Sequence, residues 1–168
     1  MALSHGFPPV ADPSARVLVL GSLPGKASLI AQAYYANKRN AFWRIMGDLI
    51  GAGPTLPYAQ RLEKLQAAGI ALWDVIAAGE RPGSLDVDIV KDSISINDFS
   101  AFFAVHRGIG RVFFNGGAAE AVFRRHVLPE LRVTDLQLIR LPSTSPAHAS
   151  SSYADKLAAW AAIIAPVK

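Results

Sequence analysis

Four short runs of this chain are apolar almost without interruption: residues 16–20, 70–76, 111–114 and 136–141. An apolar run without alternation is the mark of a strand buried on both faces, so each predicts a strand of a parallel sheet. Between these runs the apolar positions recur at helical spacing. Phe42, Ile45, Met46, Leu49 and Ile50 share one face of a helix over 42–50, ended by Gly51-Ala52-Gly53-Pro54. A second amphipathic helix spans 57–68, with Gly69 just beyond it. Residues 27–35 and 118–127 have helix-forming composition, and Asn97 is placed to cap a helix running to His106. The last helix covers 153–164 and carries Leu157, Trp160, Ala161 and Ile164 on one stripe.

Strands alternating with helices predict an α/β fold, a three-layer α/β/α sandwich around a central four-stranded parallel sheet. No internal repeat or linker divides the chain, so residues 1–168 read as one domain. Residues 1–15 read as an irregular lead-in because Pro8, Pro9 and Pro13 prevent regular pairing. Residues 77–93 read as a long polar connection, and connections of that length are often functional. The loops after four parallel strands gather at one sheet edge, where ligands of such folds bind. That edge collects residues 21–26, Asp74, 115–117 and 142–148.

Composition narrows the picture. The chain has 168 residues, 51% hydrophobic and 18% charged, which suits a globular protein and excludes a disordered one. Cysteine is absent, which excludes disulfides, a cysteine-ligated iron–sulfur cluster and a Cys-based zinc site, and is compatible with a reducing cytoplasm. No apolar run is long enough to cross a membrane, and the N-terminus lacks the form of a signal peptide. Lys and Arg number 17 against 13 Asp and Glu, with a pI near 9.6. That excess permits contact with phosphate backbones without demonstrating it.

The candidate chemistry sits in the loops. Gly21-Ser22-Leu23-Pro24-Gly25 follows the first strand and can aim backbone N–H groups at an anion. The P-loop pattern is not met, since Gly21 and Gly25 are one residue too close and Ala27 replaces the metal-binding hydroxyl. The same loop also reads as a tight turn where backbone approaches something closely. The stretch from Tyr34 to Arg44 interleaves aromatic and basic residues, as nucleic-acid contacts do, although its rings can equally be core. Asp74, the single charge of its strand, either pairs with a cation or reads a ligand. Asn115 ends the third strand as either a ligand contact or a turn residue before Gly116-Gly117. Ser143, Thr144 and Ser145 are hydroxyls suited to phosphates or to an ordinary loop. His148 is a candidate acid or base, with no partner at metal-ligand spacing.

Taken together, GSLPG, YYANKRNAFWR, GIALWDVI, GSLD (residues 83–86) and LPSTSPAHA resemble the uracil-DNA glycosylase superfamily, in its hypoxanthine-DNA glycosylase branch. The resemblance covers about residues 7 to 164. It implies a glycosylase of base-excision repair, acting on DNA that contains deaminated bases, hypoxanthine first, with no metal, cluster or organic cofactor. The only nearby lysines, Lys26 and Lys38, read better as phosphate contacts, and this lack of an evident amine nucleophile makes it monofunctional. It implies a catalytic role for Asn40, since the first loop lacks the Asp or Asn that many superfamily members carry there. Gly21, Ser22, Leu23, Pro24 and Gly25 match the base-binding loop, Phe42 the ring that stacks on the extruded base, and Asp74 a polar group against the base edge. Ser143, Thr144 and Ser145 match the loop that braces the vacated stack, and His148 stands where many relatives carry Asn. Lys38, Arg39 and Arg44 are then the expected phosphate contacts. A cytoplasmic monomer is the expectation, with two alternatives: a uracil or mismatch-type glycosylase, or a DNA- or nucleotide-binding α/β domain without catalysis.

Overall fold

Four parallel strands form the centre of the computed structural model, which describes residues 3–83, 85–133 and 135–166. The strands and helices follow in chain order as β1 (Ser4–His5), β2 (Val17–Gly21), α1 (Lys26–Ala31), α2 (Phe42–Ile50), α3 (Tyr58–Ala67), β3 (Ile70–Asp74), β4 (Ile76–Gly79), β5 (Ser95–Ile96), α4 (Phe99–Val105), β6 (Arg111–Asn115), α5 (Gly117–Val122), β7 (Gln137–Leu141) and α6 (Tyr153–Trp160). The central sheet runs β3-β2-β6-β7, all parallel.

Side-chain alternation splits the core into two layers. Leu18, Leu20, Ala71, Trp73, Val112 and Phe114 point to one face, where they meet Phe99, Phe102 and Phe103 of α4 and Ala119 and Phe123 of the α5 segment. Val17, Val19, Ile70, Leu72 and Phe113 point to the other, against Phe42, Trp43, Ile45 and Met46 of α2, Leu65 of α3 and Trp160 of α6. Helices thus cover both faces, as the apolar strands require. β2 and β6 are buried between neighbours, and β2 is buried along its whole length.

Several local expectations change. The lead-in is not wholly irregular. Ser4–His5 pairs antiparallel with β4 before the first proline, and the Gly6 N–H donates to the Ala77 carbonyl at 2.8 Å. The run over 70–76 breaks at Val75. Its second part, β4, leaves the parallel sheet and joins a small antiparallel sheet ordered β1-β4-β5. Part of the expected polar connection is therefore strand, followed by two short 3-10 turns, Asp86–Asp88 and Lys91–Ser93. Ser84, within the GSLD segment, lies outside the described residues.

Helix α1 ends at Ala31, short of Tyr35, because Gln32 takes a left-handed φ of 52°. Asp98, not Asn97, caps α4, its side chain accepting the Ala101 N–H. The Asn97 amide instead donates to the Asp74 carbonyl at 2.8 Å. Residues 118–127 divide into α5 and a π-helical turn, Phe123–Val127.

Candidate active site

The carboxyl ends of β2, β3 and β6 and the loop after β7 open onto one cavity of about 440 Å³, within the range of small-ligand sites. Gly21 to Gly25 line it, as do Asp74, Asn115 and Ser143 to His148. Asn37 and Asn40 join from the turn before α2, and Arg81, Leu85, Asp86 and Val87 from the connection after β4. The cavity therefore gathers the four loops that the sequence placed at this edge, together with two further segments, the turn that holds Asn40 and the connection after β4.

The first loop is held by its carbonyls. Val75 N–H donates to the Gly21 carbonyl at 2.9 Å and Ile76 N–H to that of Ser22 at 3.0 Å. The Arg81 guanidinium reaches the Leu23 carbonyl at 3.4 Å and also donates to that of Pro24. In a trans peptide the N–H points opposite to the C=O, so these contacts turn the N–H groups of Ser22, Leu23 and Gly25 away from Val75, Ile76 and Arg81. Ser22 is buried, its hydroxyl donating to Asp86, and Asp86 lies 3.8 Å from Arg81. Leu23 is buried as well.

Asp74 ends β3 directly beside Gly21 of β2. It is 4% exposed, and its Oδ2 has no hydrogen-bond partner among the described residues. Burial pushes its carboxyl up to about 7, Asp86 adds to the rise, and Arg81 opposes it. Tyr35 lies over the same glycine. A Cβ on Gly21 would stand 2.6 Å from Asp74 Oδ1 and 3.1 Å from the Tyr35 hydroxyl, so no side chain fits there. The Tyr35 hydroxyl is likewise unpartnered among the described residues. Burial first, and then the nearby Asp74, drives its pKa upward, while the Asn115 side chain, short of a full hydrogen bond, opposes the rise.

Asn40 lines the cavity, and its Oδ1 accepts the N–H of Phe42, the first residue of α2, at 2.9 Å. A second Oδ1 lone pair and two Nδ2 hydrogens remain for other partners. Lys38 and Arg39 are exposed on the adjoining turn. Arg44 is exposed on α2 with its guanidinium 3.6 Å above the Tyr153 ring, away from the cavity lining.

Phe42 is not brought to the cavity. As the first residue of α2 it turns inward with Ile45 and Met46 and is fully buried. Its ring is covered by Tyr35, with centroids 4.2 Å apart and nearly parallel. Tyr34 and Tyr35, and not Phe42, supply aromatic surface to the lining. Sequence reasoning named Tyr35 only as part of an aromatic segment. Its inward placement follows from a left-handed φ of 54°, for which the sequence holds no cue.

The loop after β7 is tied down on both sides. The Asn115 amide donates to the Thr144 hydroxyl at 2.9 Å, and the Thr144 N–H donates back to Asn115 Oδ1 at 2.9 Å. Ala41 N–H donates to the Thr144 carbonyl at 3.0 Å. Thr144 is thus a buried brace, while Ser143, Ser145 and His148 lie nearer the opening. The buried Lys156 ammonium donates to the His148 carbonyl at 2.7 Å, so α6 holds this end of the loop. Among the described residues no group of three or more His, Asp or Glu side chains is placed to hold a metal ion, and no helix is long and apolar enough to cross a membrane.

A parallel-sheet α/β protein whose strand-end loops line a cavity of mixed polar and apolar surface is the class that this fold and site define. A family model for the Uracil DNA glycosylase superfamily matches residues 8–164, and the chain belongs to that superfamily. It is 42% identical over 124 residues to the hypoxanthine DNA glycosylase of Methanosarcina barkeri (strain Fusaro), covering 71% of this chain and 77% of the relative. It is 37% identical over 147 residues to the hypoxanthine DNA glycosylase of Methanosarcina acetivorans, covering 87% and 89%. The solution NMR structure of a candidate uracil DNA glycosylase from Methanosarcina acetivorans superposes with a TM-score of 0.80 at 35% identity over 97% of each chain.

Proposed function

We propose that this chain is a monofunctional DNA glycosylase of base-excision repair, working as a single-domain cytoplasmic monomer, and that hypoxanthine is the base it removes first. One observation carries the reading: Asn40, Asp74 and the Gly21–Gly25 loop line one cavity in a chain 37–42% identical to two proteins named hypoxanthine DNA glycosylase.

A duplex hides the bond to be broken, so the damaged nucleotide turns out of the stack into the cavity, most cheaply where pairing is already weak. Hydrolysis breaks the bond between C1′ of the deoxyribose and the base nitrogen. The water oxygen joins C1′, and a proton goes to the leaving base. Positive charge grows on the sugar and negative charge on the base as the bond lengthens, and catalysis consists of stabilising both. The Asn40 amide orients the water, accepting through Oδ1. The N–H groups of Ser22, Leu23 and Gly25 meet the charge on the base. Asp74 meets the base edge. Lys38 and Arg39 hold phosphates beside the opening, Arg44 does so further along α2, and Ser143, Ser145 and His148 contact the backbone across from them.

The test is release of base from end-labelled duplexes carrying hypoxanthine, uracil, xanthine or no lesion. Strand breaks that appear only after alkali, fastest for hypoxanthine, support the reading. Breaks without alkali would mean an amine nucleophile, for which Lys26 on the cavity lining is the candidate. No breaks on any substrate would leave a DNA-binding domain without catalysis.

A further inference from the structure

Two buried polar atoms beside Gly21, the Tyr35 hydroxyl and Asp74 Oδ2, make no well-formed hydrogen bond among the described residues, and the Asn115 side chain is the one polar group that acts on the hydroxyl as a weak partner. A buried polar atom left unpaired carries a cost that a ligand's matching edge removes. The two side chains hang from different elements, the turn before α2 and the end of β3, yet both converge on the Cβ position that Gly21 leaves empty. Both residues line the cavity. The Tyr35 ring is fixed by stacking on Phe42 and by a left-handed backbone that bulky residues rarely adopt. A glycine, a strained tyrosine and a buried carboxyl thus meet at one point of the lining.

The pair is an asymmetric set of donors and acceptors. Burial keeps the proton on the Tyr35 hydroxyl, which therefore donates. An ionised Asp74 only accepts. A donor beside an acceptor matches a carbonyl beside a ring N–H. Hypoxanthine and uracil carry that edge because deamination replaces an amine by a carbonyl oxygen and places a proton on the adjacent ring nitrogen. Adenine and cytosine present the reverse, an amine beside a bare ring nitrogen.

We propose that Tyr35 determines specificity: its hydroxyl donates to the carbonyl of the extruded base while Asp74 accepts from the neighbouring ring N–H, so that the pair selects deaminated bases over their amino-bearing parents. This rests on the glycosylase reading above and deepens it by naming the edge that is read. Guanine and thymine share the edge, so their rejection falls to the 2-amino group, the 5-methyl group and the cost of breaking an intact pair.

Tyr35→Phe removes the hydroxyl and keeps the ring on Phe42. Single-turnover release is measured from duplexes carrying hypoxanthine or unsubstituted purine, which lacks the carbonyl. Affinity is measured in parallel for duplexes carrying noncleavable 2′-fluorinated hypoxanthine or adenine nucleotides. The expected result is a fall of about 10- to 100-fold on hypoxanthine, the loss of one buried hydrogen bond. Release of purine should stay unchanged, and the binding preference for hypoxanthine over adenine should shrink. Equal losses on hypoxanthine and purine would assign the hydroxyl to the fold and overturn the proposal, as would undiminished release of hypoxanthine. If the unmodified protein releases no base, the glycosylase reading fails on its own. The binding arm then decides: a hypoxanthine preference lost in Tyr35→Phe supports the edge reading, and equal affinities in the unmodified protein overturn it.

Discussion

Asn115 and Thr144 hold each other by two hydrogen bonds of 2.9 Å, one in each direction, between the end of β6 and the loop after β7. This double contact fixes a cavity wall through a residue that is 1% exposed. Thr144→Val preserves shape and the backbone bond but leaves the Asn115 amide without its acceptor. That amide is half-buried on the cavity lining, where water replaces part of the lost bond, so the cost is about 1 kcal/mol. Urea denaturation should show a loss of that size, with base release falling in step. A variant as stable as the parent would mean that the loop stands without the pair.

Asn40 has two duties that substitution can separate. Its Oδ1 accepts the Phe42 N–H at the start of α2, a hydrogen bond worth about 1 kcal/mol. Asn40→Ala should therefore lower stability by that amount while base release falls roughly 100-fold or more through loss of water positioning. Asn40→Asp keeps an acceptor for the Phe42 N–H and should restore stability. The comparison is read from denaturation midpoints and single-turnover rates on the hypoxanthine duplex. Asn40→Ala with full activity would remove Asn40 from the chemistry.

Asp74 predicts a pH signature. Its folded-state pKa of about 7 lies above the ordinary 3.8, so between those values the folded protein holds a proton that the unfolded chain has released. Stability is fully present below about pH 4 and is lost as pH rises through about 7. Asp86 and Arg81 act on the carboxyl in opposite directions, and Tyr35 lies beside it, so the slope belongs to this cluster. Asp74→Asn should flatten stability over that window. Base release should rise as Asp74 ionises and level off above pH 7, whereas Asp74→Asn should show neither the rise nor the full rate. Denaturation at pH 5 and pH 8 and a pH–rate profile check both halves.

Lys38 and Arg39 stand exposed on the turn that ends at Asn40. If each meets one phosphate, its replacement by Ala should weaken DNA binding about equally for lesion and undamaged duplexes. Each should also lower the slope of log affinity against log salt by about 0.9. Fluorescence anisotropy over a salt series measures this, and an unchanged slope would move the phosphate path elsewhere.

The four strands of the central sheet, and helix α2 over the residues its periodicity named, were legible because packing writes apolar runs and 3.6-residue spacing directly into composition, even though the edge strand β7 is buried only at Leu141. The gathering of Asp74, Asn115, the Gly21–Gly25 loop and the Ser143–His148 loop at one edge followed from parallel topology alone. What escaped was set by contacts between distant residues. Val75 N–H bonds to the Gly21 carbonyl, and the chain beyond it leaves the sheet for β1 and β5, which no local pattern announces. Asp98 took the cap of α4 because Asn97 was drawn to the Asp74 carbonyl. Phe42 and Tyr35 are both aromatic and seven positions apart, and only the packing of α2 against the sheet and the left-handed turn at Tyr35 decide which ring is core and which lines the cavity. Hydrophobic pattern is a property of each residue and its near neighbours, so it predicts elements and edges. Which polar group remains unpaired at the end of a strand is a property of everything packed around it, and only the folded chain decides it.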